Sequence, residues 1–457
     1  MAQKAAKDLQ KELLKKDQKH FLHPTSNPKQ QAKSGASIVL KRGKGIYVED
    51  IEGKRYMDGL SSLWNVHIGH GNEELANVSY EQMSTLAYAS SFKGYSNPAA
   101  IELSEKLADI APDKLNSVFY TSGGSESNDT AFKLSRFYWE QVGKPEKKKI
   151  IALERSYHGV TVGAQSATHL PAFHSFSGSY MNGMFHALPH LTDCERGNTS
   201  ADHYEQSIRG IVEREGADTV AAVILEPIQG AGGIYVPPAG YLEAVRKLCD
   251  EFNIHLIADE VICGFGRTGK MFAVEHWDVT PDFLCVAKGI TSGYAQLGGV
   301  LIHDTIQKEI ANFDGVLAHG FTYSGHPTAC AVGLKNIEII EREGLVERAD
   351  EMGKVLADRL EQVVTAHSTV GLTRGMGLLR SIELFKDSKS FERFDPNENA
   401  AERVYQACFD RGLLLRTSGG NGVNIIPMAP PLIITEPEID ELIDRLDAGL
   451  TAFESSL

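Results

Sequence analysis

No two of the six cysteines form a C-x-x-C pair. Cys194, Cys249, Cys263, Cys285, Cys330 and Cys408 stand singly, which fits a reducing cytoplasm. Positive charge is also short. Against 60 Asp and Glu there are 46 Lys and Arg, a formal net charge of −14. That balance argues against nucleic acid and against an anionic membrane surface as partners. No apolar run approaches the roughly 20 residues that span a bilayer. The N-terminus is rich in Lys, Asp, Glu and Gln and lacks the apolar stretch of a secretory signal. Internal repeats and low-complexity segments are absent too.

What is present is an ordinary globular composition, 42% hydrophobic and 23% charged. A chain of 457 residues is too long for one core, so two lobes are expected. Residues 4–22 place Leu9, Leu13, Leu14 and Leu22 among charges, a weakly amphipathic helix. "GIYVEDIEGKRYMDG" predicts a hairpin turning at Glu52-Gly53. From about residue 75, apolar strand candidates alternate with helical stretches: 117–121, 149–153, 219–225, 254–258, 283–287 and 297–302. In "GYLEAVRKLCDEFN", Tyr241, Val245, Leu248, Cys249 and Phe252 share one face. This alternation implies a largely parallel sheet covered on both faces. Beyond Pro327 come two long helical stretches, the strand "GLLRSIEL", a helix, the Gly-rich loop "TSGGNG" and a closing helix. The division expected is 1–74 (helix and hairpin, part of the small domain), 75–330 (the large domain) and 331–457 (the C-terminal small domain).

In an open parallel sheet, ligands bind beyond the carboxyl ends of the strands. The residues just beyond each strand candidate are therefore informative. After 117–121 comes "SGGSESNDT", after 149–153 "ERSYHG", after 219–225 Glu226, after 254–258 Asp259, after 283–287 Lys288. Singly, each has an ordinary explanation: a solvated lysine, a capping aspartate, a serine N-cap, a core tyrosine. Together they fill one crevice with complementary chemistry. A desolvated lysine is a nucleophile toward a carbonyl. A carboxylate can hold a pyridinium nitrogen protonated. Gly123, Gly124, Ser125 and Glu126 open a helix whose backbone N–H groups suit a phosphate. Tyr157 can stack on a flat ring.

"LIADEVICGFGRTG" also carries the spacing G-x-G-x-x-G at Gly264, Gly266 and Gly269. A dinucleotide site needs these glycines directly after a strand and opening a helix, with an acid about 20 residues on. Here "DEVIC" intervenes, and the next strand candidate leads into Lys288. The glycine spacing is read as incidental and Asp259 as the working residue.

These motifs, in this order, make the sequence resemble the class III pyridoxal-phosphate aminotransferases from about residue 36 to the end. "YMDGLSSLWNVHIGHG" and "LLLRTSGGNGVNIIPMAPPLIIT" are more similar to the ω-amino acid and amine:pyruvate branch. The resemblance implies an α/β fold of type I. Its large domain holds a mostly parallel seven-stranded sheet, beside a smaller α/β domain. It implies pyridoxal 5'-phosphate as cofactor, carried by Lys288, which also moves the proton between substrate carbon and cofactor. Asp259 corresponds to the partner of the pyridinium, Gly124 and Ser125 to the phosphate cup, and Tyr157 to the stacked aromatic residue. Glu226 orders the site. Ile262 stands near the ring, where some branches have glutamine. Thr322 reaches the phosphate of the neighbouring subunit. Trp64 is a pocket wall, and Arg416 is a mobile arginine for the acceptor's carboxylate. Loops around Trp64, Phe92 and Arg416 would select the donor.

The loop reads Ser-Gly-Gly-Ser where many relatives have Ser-Gly-Ser, so Gly123 can offer only its backbone. The expected partners are a primary amine or ω-amino acid, a keto acid (pyruvate above others), and a second copy of the chain in a homodimer or a tetramer. Neither a metal nor a nucleic acid is expected. An aminomutase, lyase or racemase on the same cofactor shares Lys288 and Asp259. A nicotinamide oxidoreductase is the alternative of a different class.

Overall fold

The computed structural model describes residues 2–177, 180–190, 201–420 and 423–457. Cys194 and the tip of the Gly-rich loop, Asn421-Gly422, lie outside them. An N-terminal helix, Ala2–His20, leads through a short helix, Pro28–Ser34, to three antiparallel strands: β1 (Leu40–Lys44), β2 (Tyr47–Asp50) and β3 (Arg55–Asp58). The expected hairpin is the β2–β3 pair.

Seven further strands form the central sheet: β4 (Ser117–Thr121), β5 (Lys149–Leu153), β6 (Met184–Ala187), β7 (Val220–Leu225), β8 (His255–Asp259), β9 (Phe283–Val286) and β10 (Gly298–Ile302). Their order is β4-β10-β9-β8-β7-β5-β6. The pairs β6–β5, β5–β7, β7–β8 and β8–β9 are parallel, while β10 runs antiparallel to both β9 and β4. Every residue of β7, β8, β9 and β10 is buried. Both faces of these strands are therefore covered, which is why they read as unbroken apolar runs. The helices Gly124–Gln141 and Tyr241–Phe252 supply part of that cover; Tyr241, Val245, Leu248 and Cys249 point inward as predicted, with Phe252 partly buried beside them.

The chain then continues through the helices Pro327–Arg342 and Leu345–Ala366 to a second sheet: β11 (Val370–Met376), β12 (Leu379–Leu384), then β14 (Ser418–Gly420) and β15 (Val423–Met428), in the order β11-β12-β15-β14. Between them lie the helix Ala400–Asp410 and the two-residue β13 (Leu413–Leu414). β13 pairs in parallel with β3 at Met57 and Asp58, and Tyr47 donates its hydroxyl hydrogen to Glu441 of the closing helix at 2.7 Å. The hairpin near the N-terminus and the C-terminal segment thus share one small sheet. The described cysteines are all buried and unpaired. No described helix is long and apolar enough to cross a membrane.

The glycine-spaced segment after β8 is a run of turns, not the start of a helix. Gly266 and Gly269 have positive φ of 91° and 90°, so their glycine identity answers to turn geometry.

Candidate active site

Because six of the seven strands point one way, the ends of β4, β5, β7, β8 and β9 open onto the same edge of the sheet. A cavity of ≈ 280 Å³ lies there, lined by Gly124, Ser125, Tyr157, Glu226, Asp259, Ile262 and Lys288, among others. A second cavity of ≈ 280 Å³ adjoins it, lined by Trp64, Phe173, Ala231 and Arg416. The two share Tyr157, Ile262 and Lys288. Thr322 and Phe92 line neither; both are exposed, and Thr322 offers its carbonyl to the Tyr88 hydroxyl at 2.8 Å.

At the inner end, Gly123 sits in extended backbone and the helix begins at Gly124. The first N–H groups of any helix lack intrahelical acceptors. The turn before them is held by Glu126, whose carboxylate accepts from the Ser122 N–H at 2.8 Å. Ser125 Oγ accepts from the Val160 N–H at 3.1 Å. Gly159 leaves room for this contact: a Cβ there would lie 2.3 Å from Ser125 Oγ. A Cβ on Gly124 would press on Val261 at 2.9 Å, whereas Gly123 faces open space.

At the other side Asp259 is buried, 3% exposed. Its Oδ2 accepts from Asn128 Nδ2 at 2.7 Å and from His158 Nδ1 at 2.8 Å, and its Oδ1 from the Val261 N–H at 3.1 Å. Facing a carboxylate, His158 Nδ1 must carry its hydrogen. Glu226 is equally buried and accepts from the N–H groups of Tyr157 (2.9 Å) and Gly230 (2.8 Å). Burial pushes its pKa up to about 7, with the charge of Asp259 adding and that of His158 opposing. Lys288 has a positive φ of 48°, a strained setting for a lysine. Burial pushes its pKa down to about 8, against the pull of Asp259 and Glu226. At pH 7 roughly a tenth of its amine is then free, far more than for an exposed lysine.

The outer cavity is walled mainly by aromatic and aliphatic side chains, among them Leu63, Trp64, Leu170 and Phe173. The Tyr157 ring lies 5.3 Å from that of Phe173. Trp64 is 4% exposed and has a positive φ of 66°. Arg416 makes no side-chain hydrogen bond or ion pair among the described residues.

Pyridoxal phosphate fits this arrangement. The helix start and the Ser125 hydroxyl are donors for a dianion, and Asp259 is a buried anion for the ring nitrogen. Tyr157 supplies a flat face, and Lys288 a half-buried amine within the same cavity. The sequence reading missed Asn128, His158 and Phe173. Asn128 lies four residues after Gly124, so it shares that helix face. His158 adjoins Tyr157 in the same post-strand loop.

Comparison with known proteins bears on the same conclusion. The aminotransferase class-III family matches residues 29–450. The chain is 39% identical over 429 residues to a putrescine–pyruvate aminotransferase of Pseudomonas aeruginosa, covering 93% of this chain and 92% of that one. A transaminase structure from the marine bacterium Virgibacillus has a TM-score of 0.95 and 45% identity, over 97% of this chain and 99% of that chain. An omega transaminase from Pseudomonas jessenii in complex with PMP has a TM-score of 0.92 and 36% identity, over 97% and 98%. The chain belongs to the class III aminotransferases, enzymes that use pyridoxal phosphate to move amino groups.

Proposed function

We propose that this aminotransferase takes the amino group of a primary amine or ω-amino acid and delivers it to pyruvate. The observation that carries this reading is Arg416. It is a guanidinium without a carboxylate partner among the described residues, on the wall of a largely apolar chamber that also holds Lys288. An apolar chamber suits the body of an amine. A planar fork of N–H donors suits the carboxylate of a keto acid.

When bound, pyridoxal phosphate supplies a ring that withdraws electrons from the reacting carbon. Gly124 and Ser125 would hold the phosphate, Tyr157 would cover the ring, and Ile262 and Glu226 would shape its surroundings. Asp259, its two oxygens fixed by donors, would hold the ring nitrogen protonated. Lys288 would carry the group and would move the proton at the substrate's reacting carbon. It can do so because its neutral amine is a positioned base. Trp64 and Phe173 exclude water above it.

Thr322 completes the phosphate site of a second copy of the chain. Its position supports this: it is exposed, outside its own chain's cavity, beside the exposed aromatics Tyr88 (42%), Phe92 (51%) and Tyr323 (58%). A cluster of exposed aromatics is what an interface covers. Phe92, exposed on its own chain, then contributes to the neighbour's chamber.

Stopped-flow measurement of the separate half-reactions tests the acceptor assignment. Arg416→Ala is expected to weaken the pyruvate half-reaction by roughly 1.5–3 kcal/mol, the range for a hydrogen bond to a charged group. The half-reaction with an aryl amine should change little. Equal losses on both sides would make Arg416 structural and remove the main support for pyruvate.

A further inference from the structure

The loop that carries Thr322 is fixed on both sides of that residue to the elements that form the chain's own phosphate cup. Before Thr322 stands His319. Its Nε2 lies 2.9 Å from the Thr130 hydroxyl and its Nδ1 2.8 Å from Lys133 Nζ, both on the helix Gly124–Gln141. Its ring stacks on Phe119 of β4, with centroids 5.0 Å apart and planes 6° off parallel. The Phe321 ring meets it edge-on at 5.3 Å. After Thr322 comes Ser324. Its hydroxyl donates to the Tyr120 carbonyl of β4 at 2.7 Å and accepts from the Phe321 N–H at 3.2 Å.

The hydrogen positions on His319 follow from its partners. An ammonium only donates, so Nδ1 must accept from Lys133. A neutral imidazole then carries its one hydrogen on Nε2, which donates to Thr130. Burial, with the charge of Lys133 adding to it, pushes the pKa of His319 down to about 4. The ring therefore keeps this one tautomer at neutral pH. Thr130 is fully buried, so His319 also meets a hydroxyl that has no access to water.

Gly124 and Ser125 begin the helix that holds His319, and β4 leads directly into that beginning. Ala131, Phe132 and Leu134 bury the helix against the sheet, so the helix does not need His319 to stay in place. The loop does. We infer that His319 is a positioning residue for the cofactor of a second copy of the chain, holding Thr322 where the neighbour's phosphate requires it. This rests on the reading of Thr322 given above. His319 lines neither cavity of its own chain. Its effect therefore falls on the neighbour's site and not on its own. A hydrogen bond to a phosphate is sensitive to such placement, because its donor must be held ready in the productive geometry.

The test uses mixed dimers purified through two different affinity tags, with Lys288→Ala in one chain. Pyridoxal phosphate is titrated in and reduced with borohydride, so that only the chain keeping Lys288 is labelled. The concentration at half-labelling gives the affinity of that one site. His319→Leu keeps an apolar contact on Phe119 and removes both hydrogen bonds. Placed in the Lys288→Ala chain, it is expected to weaken the labelled site about three- to tenfold. Placed in the labelled chain itself, it should change that site by less than about twofold. Lys133→Met, an exposed change that spares the fold, removes one of the two bonds and should act across the dimer at about two- to threefold. His319→Gln, with one acceptor and one donor at similar reach, should recover most of the loss. Thr322→Ala in the Lys288→Ala chain sets the upper limit, about tenfold or more, the loss of one hydrogen bond to a charged group. If the His319 effect follows the labelled chain, or is equal in both placements, its role is structural and the inference falls. If Thr322→Ala acts across the dimer while His319→Leu and Lys133→Met are silent, the positioning role alone is wrong. If Thr322→Ala is silent, the reading of Thr322 fails first.

Discussion

The two chambers that meet at Lys288 are built on opposite plans. In the inner one the ionisable side chains are tied down. Asp259 has donors on both oxygens, Glu226 takes two backbone N–H groups, and Ser125 is fixed by Val160. In the outer one, aromatic and aliphatic surfaces set the shape, and its one guanidinium is unpaired among the described residues. The difference follows the chemistry. A cofactor returns unchanged after every turnover, so its site gains from charges fixed in advance. Two substrates of unlike charge must pass through the other chamber in turn. A fixed charge that suits one would oppose the other.

The comparison breaks most severely at Lys288. Lys288→Ala is expected to abolish turnover, because neither chamber holds another amine at their junction. In the wild-type holoenzyme, borohydride reduction and peptide mass analysis should place the pyridoxyl group on Lys288. Its appearance on a different lysine would overturn the assignment.

Asp259→Asn comes next. The amide keeps the shape but cannot hold the pyridinium proton, and its NH2 is turned against donors arranged for a carboxylate. Loss of a preorganised charge of this kind raises the barrier by about 3 kcal/mol or more, on the order of a hundredfold in rate. Single-turnover kinetics at saturating cofactor measure it. Near wild-type rates with the cofactor bound would mean that the inner chamber is less committed to its charges than its hydrogen bonds imply.

Much of this plan was legible before the fold was known, and for a reason that can be stated. Parallel strands buried on both faces read as apolar runs, and they bring the residues after them to one edge. Lys288, Asp259, Glu226, Tyr157 and Ser125 could therefore be grouped from order alone. β6 escaped because "MFHA" is short and carries a histidine. β11 and β15 escaped because two glycines and Pro427 mask their patterns; Pro427 is nonetheless paired with Ser381. β14 was hidden inside a stretch that reads as a glycine loop. His158 and Asn128 were missed because their role lies in a contact between separate elements, which no local pattern records.

Glu226 sharpens the comparison in a quieter way, through stability. Its pKa rises from 4.5 to about 7 on folding, mainly through burial. Between those values the folded, cofactor-free protein holds a proton that the unfolded chain has released. Stability from this group is therefore full below about 4.5 and falls as pH rises to about 7. Gln resembles the protonated acid in shape and charge, so Glu226→Gln should lack this decline. Measured against its own value at low pH, the variant should gain on wild type by roughly 1–3 kcal/mol on reaching pH 8, from the size of the shift. Urea titrations of both cofactor-free proteins across that range give the two profiles. Parallel profiles would show that Glu226 ionises in the fold as readily as in the unfolded chain. Arg416→Ala is the control from the other chamber. With no partner to lose, it should shift the wild-type profile by no more than about 0.5 kcal/mol and leave its slope unchanged. A variant that stabilises the inner chamber while slowing turnover, beside one that leaves stability alone while shifting substrate preference, is the expected signature of one site held rigid and one left adjustable.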